Sequence, residues 1–155
     1  MSWRTGLGLV IRLCAAAIWI VAGVAKAVDL VHFHDQVDQY KLLPHTLEAP
    51  FAYTLPFVEI FVGVYLAIGL LTRAAAIAGC VLMVLFLIAQ TQAWVRGLSL
   101  DCGCFGSLTH EHVGAVSILR DVLLGIPSAI MAWWPARRFS LDAQLLGRAD
   151  SSPWS

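Results

Sequence analysis

Four runs of apolar residues, each about the length of one helical crossing of a bilayer, constrain this chain more than any other feature. They are Leu7 to Val28, Phe51 to Leu71, Ala74 to Val95 and His112 to Trp134. A hydrocarbon core takes about 20 helical residues to cross, and a spanning segment must satisfy its backbone polar groups internally. The expected fold is therefore all-α, an integral membrane four-helix bundle in the cell membrane. Composition agrees: 59% of the 155 residues are hydrophobic and only 13% are charged, where soluble domains carry about 25%. The formal net charge is zero and no basic run interleaves with aromatics, which argues against a nucleic-acid partner and leaves the lipid bilayer as the setting.

The first run has a competing reading as a signal peptide, with Arg4 and Arg12 as its basic region and Ala25-Lys26-Ala27 as its cleavage site. Its length favours an uncleaved helix. Asp29 to Pro50 is the most polar interval, expected as an extramembrane loop with a short interfacial helix and punctuated by Pro44 and Pro50. Pro56 is expected in the first turn of the second span, where a missing N–H costs little. Thr72-Arg73 reads as a tight connection, Arg96-Gly97 as the end of the third span, and Trp133-Trp134-Pro135 as an interfacial belt and helix stop. Residues 1–135 form the membrane domain and residues 136–155 a polar tail.

Four crossings put both termini on one side. Arg4, Arg73, Arg137, Arg138 and Arg148 lie on that side, against Lys41 and Arg96 on the other. The positive-inside rule then makes both termini, and the tail, cytoplasmic. The polar interval and the loop between the third and fourth spans face outward, where disulfides form and persist.

That second loop carries Asp101-Cys102-Gly103-Cys104-Phe105-Gly106. A disulfide between Cys102 and Cys104 closes a very small ring, and strained, exposed disulfides are the more oxidising ones. Gly103 removes the Cβ that would resist so tight a turn. Redox exchange, a permanent staple and a pair of metal ligands all remain open on this pattern; four-cysteine zinc spacing is absent. His32, His34, His110 and His112 share the outer loops with the pair, as does His45. They offer a weaker alternative, a copper or zinc site, or cationic neighbours that activate a thiolate.

Charges within apolar spans are costly and mark pairs or function. Glu59, Arg120 and Asp121 fall about 10 Å below the outer surface by helical rise, with Lys26 and Gln90 near or above that level. Gly114, Ser117, Asp121, Gly125, Ser128 and Ala132 recur at helical spacing along the fourth span, and Pro56, Glu59 and Gly63 share a face of the second. Such stripes suit close helix contact. Lys26, Glu59, Arg120 and Asp121 are thus candidates for one supporting polar network, as ion pairs or as a polar site for a quinone or a proton path. Cys14 and Cys80 lie at matched depth towards the cytoplasmic ends, as packing residues or a second thiol pair.

Ala22-Gly23-Val24-Ala25-Lys26-Ala27-Val28-Asp29, Tyr40-Lys41-Leu42-Leu43-Pro44, Leu55-Pro56-Phe57-Val58-Glu59-Ile60-Phe61-Val62-Gly63, Arg96-Gly97-Leu98, Cys102-Gly103-Cys104-Phe105-Gly106 and Leu119-Arg120-Asp121 stand in fixed order. Together they resemble the MauE branch of the DoxX-like membrane proteins, over residues 4 to 135. The resemblance implies a four-helix membrane protein that works with a thioredoxin-like partner in maturing a disulfide-rich dehydrogenase subunit. The architecture is also similar to that of quinone-linked disulfide oxidases, although those carry a second cysteine pair beside the quinone. The expectation is a thiol–disulfide redox protein with Cys102 and Cys104 as the catalytic pair, a thioredoxin-fold partner and, as cofactor, at most a quinone. The alternatives are a non-catalytic scaffold with a structural disulfide and a metal-handling protein.

Overall fold

The computed structural model describes residues 3–98 and 114–133, with side chains from Gly6 onward. Within them the chain is helical in five pieces: α1 (Trp3–Val28), α2 (Leu30–Tyr40), α3 (His45–Ile68), α4 (Thr72–Val95) and α5 (Ala115–Trp133). The four longer helices are apolar enough to span a membrane. Their outward faces are exposed Leu, Val, Ile and Phe, the arrangement that lipid stabilises. The expected all-helical, four-span architecture holds.

Helix boundaries differ from the apolar runs at several places; α1, for one, begins at Trp3 rather than Leu7. α3 begins at His45, just after the extended Pro44, so Pro50 and Pro56 both lie inside the helix rather than at its edge or in its first turn. Each proline removes one backbone donor, and the Thr54 hydroxyl donates to the Pro50 carbonyl at 2.6 Å. α3 also stops at Ile68 rather than Leu71, because Gly69 takes a left-handed conformation (φ 71°) and its N–H caps the Tyr65 carbonyl. Thr72 and Arg73 therefore open α4 instead of forming the connection. α5 starts at Ala115, three residues later than the apolar run suggested.

The polar interval does contain a short helix. Asp29 caps α2 by accepting the His32 N–H at 3.0 Å, and Lys41 ends it in the left-handed region. Phe33 of α2 is buried against Ala52 and Leu55 of α3, and Arg96, at the end of α4, donates from Nη1 to the Tyr40 carbonyl at 3.0 Å. α2 is thus packed onto the bundle by an apolar anchor as well as lying beside it.

Close contacts fix the helix order. A Cβ on Gly23 would sit 2.7 Å from the Pro56 carbonyl oxygen, and one on Gly63 would sit 2.9 Å from the Ala16 carbonyl oxygen. Numbers fall along α1 as they rise along α3, so the two run antiparallel at near backbone contact, which only hydrogen at these positions permits. Trp19 then ties α1 to α5 by donating from Nε1 to the Ser128 hydroxyl at 3.0 Å. Gly79 of α4 leaves room for the same indole, since a Cβ there would lie 2.8 Å from Nε1. The core around Trp19 gathers Ala15, Ala16, Val62, Leu66, Ala75, Ala76 and Met131 from all four long helices. Small residues at crossings and a few aromatic fillers are what membrane bundles use where no hydrophobic drive separates helix from lipid.

Candidate functional site

One level of the bundle holds three of the five charged side chains buried among the described residues, with Arg12 and Glu48 at other levels. Lys26 stands in the last turn of α1 and Glu59 is about 21 Å along α3 from His45 by helical rise. Because α3 starts so early, it projects past the end of α1, and α2 occupies the space that α1 leaves. The Lys26 ammonium lies 2.8 Å from each Glu59 carboxylate oxygen. The two residues are 1% and 0% exposed. Phe86 of α4 lies beneath the ammonium, 5.0 Å from it to the ring centroid, and Phe33 of α2 is 5.8 Å away. A buried ammonium is thus met by a carboxylate and by the negative faces of two rings.

Asp121 of α5 belongs to the same level. It accepts a hydrogen bond from Gln90 Nε2 of α4 and one at 3.2 Å from Nε of its neighbour Arg120. Asp121 and Gln90 are buried, while Arg120 is about a quarter exposed. Lys26, Glu59, Asp121, Trp19 and Phe86 all line a small cavity of about 30 Å³ where α1, α3, α4 and α5 meet. Of the four residues singled out as a network, Lys26, Glu59 and Asp121 line one cavity, with Lys26 paired to Glu59; Arg120 does not line it and contacts its sequence neighbour Asp121. Within the α5 stripe, Ser117, Asp121 and Ser128 are buried, and Gly125 faces Met83.

Cys102, Cys104, His110 and His112 lie outside the described residues. α4 ends and α5 begins at the same end of the bundle as the charged level. His32 Nε2 is 3.1 Å from Gln36 Nε2, whereas His34 stacks on Tyr53 of α3 with ring centroids 5.9 Å apart. Two residues apart on a helix, they face different neighbours. Cys14 and Cys80 are free thiols, and Cys14 is exposed on the outer face of α1 rather than packed inside.

Three features escaped the sequence reading. The two rings around Lys26 come from helices distant in sequence, so no local pattern signals them. Trp19 to Ser128 is likewise a long-range bond. Asp38, His45 and Glu48 bring ligand-type atoms within 4.8 Å of one another. His45 and Glu48 could have been paired by their spacing of three on a helix, and their 2.9 Å contact accounts for the buried Glu48 without an ion.

The family described as methylamine utilisation protein MauE matches residues 4–135. This chain belongs to the MauE family. Lys26, Glu59, Cys102, Cys104, Arg120 and Asp121 all fall within the MauE match, which does not bear on the wider DoxX-like grouping. The chain is 33% identical over 125 residues to the methylamine utilization protein MauE of Methylophilus methylotrophus, covering 79% of this chain and 66% of that protein. It is 32% identical over 113 residues to the MauE of Methylorubrum extorquens, covering 72% of this chain and 61% of that protein. The matched stretch thus spans less than two thirds of the length of either relative. No solved structure matches the chain.

Proposed function

We propose that this MauE-family chain is a multi-pass membrane protein of methylamine utilisation that carries out thiol–disulfide exchange through Cys102 and Cys104. The exchange takes place on the extracytoplasmic face with a thioredoxin-fold partner, in the maturation of another protein. The observation that carries the reading is the Cys102-Gly103-Cys104 sequence, which follows α4 at the end of the bundle near which Lys26, Glu59 and Asp121 line one cavity. Four spans and the distribution of arginines support cytoplasmic termini, a cytoplasmic tail over residues 136–155 and an outward-facing cysteine loop. A second reading, a non-catalytic scaffold, draws on the Lys26–Glu59 pair, which is closed on itself and needs no substrate to explain it.

Orientation is tested by alkylation in intact cells. A reagent that cannot cross membranes is expected to label reduced Cys102 and Cys104 before permeabilisation and to spare Cys14 and Cys80. Labelling of the loop pair only after permeabilisation would invert the topology and remove the extracytoplasmic reading.

Exchange itself is tested by trapping. It proceeds through a mixed disulfide, so Cys102→Ser or Cys104→Ser is expected to accumulate a covalent adduct with a thioredoxin-fold protein that dissolves on reduction. Absence of any adduct in both variants, with the remaining thiol accessible to alkylation, counts against exchange.

A further inference from the structure

A second, larger cavity lies between α2, α3 and α4, with a volume of about 370 Å³. Its wall is apolar and rich in rings, including Phe33, Tyr40, Phe51 and Phe86, and among the described residues no charged side chain lines it. A phosphate headgroup or a fatty-acid carboxylate would find no cation there. Two of its polar contributors matter. Gln90 reaches Asp121 and so joins this wall to the buried charged level. Gln36 is 5% exposed, and its Oε1 has no hydrogen-bond partner among the described residues.

A buried acceptor without a donor marks a place where something else supplies one. The Gln36 amide is engaged on its other side, where Nε2 lies 3.1 Å from His32 Nε2. With His32 as acceptor, Oε1 is left to receive a ligand hydroxyl. With the amide turned over and the His32 tautomer exchanged, the same amide offers an N–H to a ligand carbonyl. The complementary ligand is neutral, flat enough to lie among rings, soluble in the bilayer, and able to present a hydroxyl or a carbonyl at one point. Pockets of this size, mostly apolar with one or two fixed polar groups, hold small ligands.

We infer that this cavity binds the ring of a membrane quinone, with Gln36 hydrogen-bonding one ring oxygen. The choice of a redox-active ring rests on the thiol–disulfide reading above. In the coupled reaction two thiols lose two electrons and two protons and form an S–S bond, and the quinone gains both, its two carbonyls becoming hydroxyls. The quinone is then the oxidant that restores the disulfide, and Phe86 and Gln90 connect its site to the buried charges.

Direct binding to the purified full chain, in lipid nanodiscs, tests the site. A short-chain benzoquinone and its quinol are titrated by equilibrium dialysis, and a photoreactive analogue maps the contact. Saturable binding is expected, with crosslinks on α2 or α4. Gln36→Leu, close in volume but without the amide, is expected to weaken binding about tenfold, the effect of losing one useful hydrogen bond. Ala89→Phe, which fills the cavity from α4, is expected to abolish it. No saturable binding by the unaltered chain, binding unchanged in both variants, or equal displacement by a sterol or a diacylglycerol would each overturn the quinone site. Quinone binding alongside a structural, unreactive Cys102–Cys104 pair would instead overturn the thiol reading and leave the site standing.

Discussion

Glu59→Ala is expected to lower the stability of the bundle by about 3–5 kcal/mol, the loss typical when one partner of a buried ion pair is removed. The cause is specific. Lys26 is 1% exposed and its ammonium makes two 2.8 Å contacts to the Glu59 carboxylate. Removing the carboxylate leaves a buried charge with two aromatic faces that compensate only part of its lost solvation. Glu59→Gln keeps the shape and one acceptor oxygen, so its loss is expected to be smaller. Replacing both charges, as Lys26→Met with Glu59→Leu, removes the desolvation of two ions along with their attraction, and such replacements are often close to neutral. The measurement is the thermal midpoint and the monodisperse fraction in detergent across the three variants. Equal tolerance of Ala and Gln would mean that the pair does not hold α1 to α3.

Much of this architecture is legible in the residues. Apolar run length alone places four crossings, since nothing but a helix satisfies that much backbone in lipid. What the runs do not reveal is where helices continue into polar sequence. α3 starts at His45 because Thr46, Leu47 and Glu48 are compatible with a first turn once Pro44 has set an extended entry. A reading that treats Pro50 as punctuation misses that turn. The same error places Glu59 too near the start of its helix, although its level relative to Lys26 and Asp121 is right. Gly69 was the available signal for the end of α3, and hydropathy obscured it because Leu70 and Leu71 continue the apolar run.

The charged site was legible for a different reason. Lys26, Glu59 and Asp121 stand out because an ionised group in an apolar run must find a partner. Which cation meets Glu59, Lys26 or Arg120, was not legible, because Lys26 and Glu59 are brought together by the α1–α3 crossing at Gly23 and Gly63. The contributions of Phe33, Phe86 and Trp19 depend on packing between distant segments and leave no periodic trace. Gln36 is a similar case: on sequence it is one polar residue in a polar interval, and its burial follows only once Phe33 is anchored on α3.

Cys102→Ser and Cys104→Ser are each expected to abolish disulfide transfer to the partner, a loss of activity rather than of fold. A serine hydroxyl is isosteric with the thiol and cannot form the S–S bond. The helices, held by the Gly23 and Gly63 crossings, the Trp19–Ser128 bond and the Lys26–Glu59 pair, supply the contacts on which the bundle depends. Membrane insertion and the detergent thermal midpoint are therefore expected to stay near those of the unaltered chain. Collapse of expression in both variants would instead make the pair a staple. The reduction potential of the Cys102–Cys104 pair, measured against glutathione in the purified protein, tests the central claim most directly. A value above about −300 mV, towards the exchange-active range that reaches about −120 mV in strong oxidants, is the expected result, whereas a value below about −300 mV, typical of structural disulfides, would contradict it.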